Sequence, residues 1–114
     1  MDKTRFARLI TMKVREGQGR KFVQTFKSEV ASTAAGIPGL RRLYLLRPVG
    51  KSGVFVVLSL WEDRSSAEAY AKSGVNDTYS AKLRSLLKEE ERVKKFEVES
   101  HVVGKTIRGR DDPH

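Results

Sequence analysis

The stretch VFVVLSLW, residues 54–61, is apolar on both of its alternating faces. Val56, Leu58 and Leu60 take one parity; Phe55 and Val57 take the other. The run before it, GLRRLYLLRP, repeats the pattern, with Leu43 and Leu45 opposing Tyr44 and Leu46. Adjacent strands of this kind belong to a sheet that is covered on both sides, because a bare apolar sheet face is a large exposed patch. A chain of 114 residues has room for one core and one layer of helices. The second face therefore needs a cover from outside, and a second copy of the chain is the simplest. A homodimer through the sheet face is expected.

The rest of the chain supplies the elements around those strands. In RFARLITMKV, residues 5–14, Phe6, Ile10, Met12 and Val14 share a parity with Arg8, and Ala7, Leu9, Thr11 and Lys13 take the other. After the break at EGQG, Phe22, Phe26, Val30 and Ala34 recur every four residues with Val23 beside them, one helical stripe. Gly36 is the expected left-handed cap, and Pro38 prevents a restart. The turn VGKSG joins the two apolar strands. Asp63 is placed to cap a short helix through Ala67, Tyr70 and Ala71, and Gly74 interrupts it. Asn76 or Asp77 opens a second helix carrying Tyr79, Leu83, Leu86 and Leu87, ending in the solvated run KEEER. From Val93 a last strand sets Phe96, Val98 and Val102 against Glu97, Glu99 and His101.

The order β-α-β-β-α-β predicts an α+β, ferredoxin-like fold: a four-stranded antiparallel sheet with helices on one face. Residues 1–103 form the single domain, and 104–114 read as a flexible tail.

Composition narrows the chemistry. With no cysteine, disulfides, thiolate catalysis and cysteine-rich zinc sites are excluded, and a cytoplasmic location is expected. The opening MDKTRFARLI lacks the apolar segment of a signal peptide, and no apolar run approaches the ~20 residues that span a bilayer. The net charge of +9 is concentrated: residues 1–50 hold eleven Lys/Arg and three acids, and residues 51–100 hold nine of each. A basic face of this kind attracts nucleic acid, anionic ligands or only solvent. The RNA-binding version of this topology needs stacking aromatics on strands one and three. In KSGVFVVL, Lys51, Phe55 and Val56 fit that pattern, but Ser52, Gly53 and Leu58 do not, and ARLITM offers no ring. Nucleic acid is not the expected partner. GKSG at 50–53 is too short for a phosphate-binding loop.

The site signal lies in LSLWEDRSSAEAYAKSG. Trp61, the only tryptophan, ends a strand, and Tyr70 follows about two and a half helical turns on. Trp61 either clasps helix to sheet, its N–H on a backbone carbonyl, or walls a pocket between them. Tyr70 has small neighbours, Ala67 and Ala71, which leave room beside its ring. Arg8 shares the parity of Phe6, Ile10 and Met12, so it either reaches solvent at a strand end or points its charge at an anionic group. Tyr44 is a second polar candidate at the same face, and Tyr79 and Ile10 are candidates for the pocket wall.

Three stretches, KVREGQGRKF, GIPGLRRLYLL and above all LSLWEDRSSAEAY, resemble the antibiotic biosynthesis monooxygenase superfamily over roughly residues 5–103. The resemblance implies a dimeric α+β barrel with sheets packed together and a pocket in each subunit. It implies a monooxygenase using O2 on an aromatic, quinol or polyketide-type small molecule, without metal or other cofactor. Tyr70 and Arg8 are then the catalytic candidates, holding the substrate oxygen as its anion, and Trp61, Tyr44, Tyr79 and Ile10 the substrate-binding ones. The haem-degrading branch has an Asn, a Trp and an axial His where Ile10, Tyr70 and Ser80 stand here, so its chemistry is not expected. A non-catalytic, ligand-binding dimer of the same fold is the alternative.

Overall fold

A computed structural model describes residues 3–74 and 77–107, without the side chains of residues 77–79. Four strands, β1 (Phe6–Lys13), β2 (Leu40–Leu46), β3 (Val54–Trp61) and β4 (Arg92–Glu97), form one antiparallel sheet in the order β2-β3-β1-β4. This is the ferredoxin-like arrangement expected from the element order. Helices α1 (Gly19–Thr25), α2 (Ser32–Ala34), α3 (Arg64–Ser73) and α4 (Asp77–Arg84) complete it. Among the described residues no helix is long and apolar enough to cross a membrane.

The first helical stretch is continuous but underwound: Phe26–Ala31, between α1 and α2, is a π-helical segment. The single helical stripe read from the sequence is thus locally irregular: its strict four-residue apolar spacing overshoots the 3.6-residue period of an α-helix, and the wider turn accommodates it. Phe22, Phe26 and Val30 thereby stay on one buried face. The hydroxyls of Ser28, Ser32 and Thr33 back-bond to the Thr25, Ser28 and Val30 carbonyls around the irregular turn. Gly36 does not take the left-handed conformation expected of it. The left-handed glycine is Gly39 (φ 81°), three residues on, because the loop turns where it must pass α3. There a Cβ would collide with the Ser66 side chain.

Helix α3 begins and ends as its sequence dictates. The Asp63 carboxylate accepts from the Ser66 amide (2.8 Å) and the Ser65 hydroxyl (3.0 Å), and Gly74 (φ 75°) closes the helix. The Ser66 amide, and then the two serine hydroxyls, hold this carboxyl below its ordinary pKa of 3.8. Its contribution to stability is therefore complete above that value and is lost as pH falls through the lowered one. Asp63→Asn keeps an acceptor but not the titration. The melting temperatures of wild type and variant are expected to differ near neutral pH and to converge in acid; a constant gap would rule this linkage out.

Strand β4 stops at Glu97; Val98 donates its amide to the Arg5 carbonyl, and residues 98–107 take no regular element, against the expected continuation to Val102. Of the expected cap, Asn76 and the Asp77 side chain lie outside the described residues, as does the end of the tail, 108–114. Beside β4, the other half of the β1 edge is closed by the turn after α4: Arg15 donates to the Leu86 carbonyl and Lys88 to that of Lys13.

The two sheet faces are unlike. The helix-facing side carries Phe6, Arg8, Ile10 and Met12 of β1 directly opposite Trp61, Ser59, Val57 and Phe55 of β3. On the other side, Leu58 lies between Tyr44 and Leu9, and Leu60 and Phe96 flank Ala7. Tyr44, Leu46 and Phe96 are 44%, 45% and 49% exposed there.

Candidate functional site

Four cross-strand pairs line the inner face of β1 and β3, and one of them is polar. Arg8 faces Ser59, with Phe6–Trp61 on one side and Ile10–Val57 on the other. The core divides at that rung. One cluster gathers Met12, Phe22, Phe26, Val30, Phe55, Val57, Leu83 of α4 and Leu86 and Leu87 of the turn after it; the second gathers Phe6, Trp61 and Ala67, with Ile37, Leu40 and Tyr70 against it. Between them is a cavity of about 90 Å³, with Arg8, Ile10, Ser59 and Trp61 on the sheet side and Phe26, Val30, Tyr70 and Leu83 on the helix side.

Trp61 is 2% exposed, and its indole Nε1 donates to the Ser59 hydroxyl at 2.9 Å. The expected backbone carbonyl is replaced by a hydroxyl two residues back on the same strand face, the distance an i, i+2 pair provides. That bond occupies an acceptor position on Ser59 and leaves its hydroxyl proton to donate. The Tyr70 ring lies 5.7 Å from the indole at an interplanar angle of 38°, so the pair meets as a tilted aromatic contact. Burial pushes the Tyr70 phenol above its ordinary 10.0, with the Arg8 cation pulling the other way. At neutral pH it is a protonated donor.

Arg8 is half-buried on the cavity wall. Its Nε is buried and has no hydrogen-bond partner among the described residues. At the other end of the cavity, Arg84 Nε donates to the Glu91 carboxylate at 3.2 Å, and both line the wall near Ser80 and Leu87.

The structure thus brings Arg8, Ile10, Trp61 and Tyr70 around one cavity. It places Tyr44 elsewhere: opposite Leu58, on the outer face, and not beside Arg8. The cause is a β-bulge between Leu40 and Arg42, where β2 advances two residues against one on β3, so that Leu40 and Leu43 face inward and Tyr44 outward. The Tyr79 side chain lies outside the described residues. Ser80, with Ile10 and Tyr70, does line the cavity, while His101 is exposed elsewhere. Among the described residues no group of His, Cys, Asp or Glu gathers as a metal site.

Ser59, Arg84 and Glu91 are cavity residues that the sequence reading missed. Ser59 carried a signal, being the polar residue of VFVVLSLW on the parity of Phe55, Val57 and Trp61. Glu91 did not; it sits in a charged run and turns inward only because the chain after α4 folds back along β1.

The family model for antibiotic biosynthesis monooxygenase matches residues 5–92. No curated protein matches the sequence. Among solved structures, the chain is similar to a monooxygenase from the ActVA-Orf6 gene of Streptomyces coelicolor, solved with the ligand nanaomycin D; TM-score is 0.78 at 14% identity, covering 90% of this chain and 95% of that one. It is similar to a variant of SnoaB, a cofactor-independent oxygenase from Streptomyces nogalater, with TM-score 0.74, 19% identity, and coverage of 87% and 97%. A protein of unknown function from Nitrosomonas europaea has TM-score 0.74 at 16% identity, over 91% and 98% of the two chains. At these identities the likeness is one of fold.

Proposed function

We infer the function from family membership: this chain belongs to the antibiotic biosynthesis monooxygenase family. We propose a cofactor-independent monooxygenase that uses O2 on a phenolic or quinol-type aromatic, working as a dimer joined through the outer sheet face. The observation that carries the reading is the buried Arg8 Nε, without a hydrogen-bond partner among the described residues, on the wall of a mostly apolar cavity. A donor left unpaired in the interior costs stability, and a ligand oxyanion would satisfy it. Tyr70, kept protonated by burial, and the Ser59 hydroxyl line the same cavity and add donors.

A phenol with a hydrogen on its para carbon fits this donor set. Loss of the phenolic proton gives an anion held by Arg8 and Tyr70, and Glu91 supplies a carboxylate on the cavity wall to take that proton. The anion passes one electron to O2, and the radical pair closes a C–O bond at the para carbon. Protonation of the peroxide, loss of the ring C–H proton and O–O cleavage then release water and leave the quinone. The ring C–H and O–H together with one O2 become quinone and one water, and no further reductant is required. Apolar walls such as Ile10, Val57 and Leu83 exclude water from the anion.

Oxygen uptake with anthrone and 1-naphthol is the test. Uptake above the protein-free rate, one O2 for each quinone formed, is the expected result. Quenching of Trp61 fluorescence by these compounds with no enzyme-dependent uptake would instead make the protein a ligand-binding dimer.

A further inference from the structure

The polar rung that divides the core does not end at β1. On the far side of that strand Arg8 stands directly opposite Lys95 of β4, so Ser59, Arg8 and Lys95 lie abreast on the helix-facing side of three strands. Side chains directly opposite one another have Cβ atoms only ~4.5–5.5 Å apart. Ser59 and Arg8 line the cavity. Lys95 stands beside it on the edge strand, all of which is exposed.

Like charges directly opposite are destabilising unless an anion lies with them. The acid at hand is Glu97, two residues from Lys95 on the same side and opposite Phe6. It is engaged elsewhere: its Oε2 accepts from Arg64 Nη2 at 3.3 Å, and that guanidinium lies over the Phe6 ring, 5.5 Å from its centre. The next pair along the strands, Ile10 and Val93, carries no charge. Among the described residues Lys95 makes no ion pair, and the buried Arg8 Nε has no hydrogen-bond partner. The two cations thus form a positive site that the fold itself does not neutralise. The cavity's roughly 90 Å³ is below the ~300–1,000 Å³ usual for small-molecule pockets, so a substituent on a ring bound there lies outside it.

We propose that Lys95 is a specificity residue, and that with Arg8 it selects aromatic ligands bearing a carboxylate. The ring fills the cavity with its phenolic oxygen on Arg8, and the carboxylate lies between the Arg8 and Lys95 side chains at the β4 edge. The proposal rests on the ring-binding reading above and deepens it by naming the substrate class, a hydroxylated aromatic acid. An exposed ammonium alone contributes little to an ion pair. Beside the half-buried guanidinium it completes a contact that is charge-assisted from both sides.

The test is calorimetric titration under nitrogen at low ionic strength, using 1-naphthol, 1-hydroxy-2-naphthoate and its neutral isostere 1-hydroxy-2-naphthamide. The carboxylate is expected to bind about tenfold tighter than the amide, and to lose most of that advantage in about 0.5 M salt. Lys95→Met is expected to abolish most of the preference while leaving 1-naphthol binding unchanged, and Lys95→Arg to keep it. Lys94→Met, on the same strand but beside Leu9 on the outer face, is expected to change neither. Equal binding of carboxylate and amide by the wild-type chain overturns the proposal and leaves the cavity reading intact. So does a preference that survives Lys95→Met, or one that Lys94→Met lowers to the same extent, since Arg8 alone or the general positive charge of the chain would then be its cause. If none of the three compounds binds, the cavity reading falls and the proposal with it.

Discussion

The Leu58→Lys variant is expected to be a monomer of 12.9 kDa by light scattering at concentrations where the wild-type chain has twice that mass. Leu58 is the middle of the outer face, paired with Leu9 on one side and Tyr44 on the other. Around it Leu46, Val56, Leu60 and Phe96 continue the apolar surface, and the described helices pack on the opposite side. An ammonium at the centre of two apposed sheets has no partner there, and several kcal/mol of desolvation translate into a loss of ~10³-fold or more in dimer affinity. Within one monomer the same lysine meets water, so the melting temperature of the isolated fold should change little. A wild-type chain that stays monomeric at tens of micromolar would refute sheet-to-sheet pairing. Monomeric wild type and unaltered variant together would mean that this face is tolerated in water.

Arg8→Met is expected to lower turnover of a phenolic substrate by about 10²–10³-fold, the usual cost of removing a donor that stabilises a developing oxyanion. Its effect on stability should have the opposite sign to that of an ordinary core substitution. Methionine follows the path of the arginine stem and eliminates a buried Nε that has no partner among the described residues. The melting temperature is therefore expected to hold or rise while kcat falls. Were Arg8 only a strand-end cation reaching solvent, turnover would be unaffected. The neutral variant should also show a higher apparent pKa for a bound naphthol, readable by absorbance, because the positive charge that favours the anion is gone.

The sequence was readable wherever period and burial coincide. On β1 and β3 two-residue alternation separated cavity from outer face correctly, which placed Arg8, Ile10 and Trp61 together. Helix α3 was equally legible, because a capping carboxylate and a left-handed glycine are local signals. Tyr44 failed for a reason that alternation cannot express. A bulge changes parity without changing composition, and nothing in GLRRLYLL marks where the extra residue falls. Glu91 failed because a charged run reads as surface. Only the return of the chain along β1, fixed by backbone bonds from Arg15 and Lys88, turns one of its acids toward the cavity. Beyond Glu97 alternation continued in the sequence but the strand did not, since two-residue spacing costs little to satisfy by chance in a polar terminal segment.

The irregularity at Leu40/Arg42 has a consequence for how this chain can vary. Along β2 the two sides of the sheet are written in a single string, and one surplus residue sets which letters are read inward. Substitutions there edit one surface at a time. A deletion of one residue in the same place would exchange both at once, turning the Tyr44 phenol and Leu46 toward the cavity and Leu43 and Leu45 toward the outer face. The cavity wall and the outer face are therefore separable by point changes but locked together against changes of length. The safest place to insert or remove a residue in this strand pair is its other end, at the turn through Gly50 and Gly53.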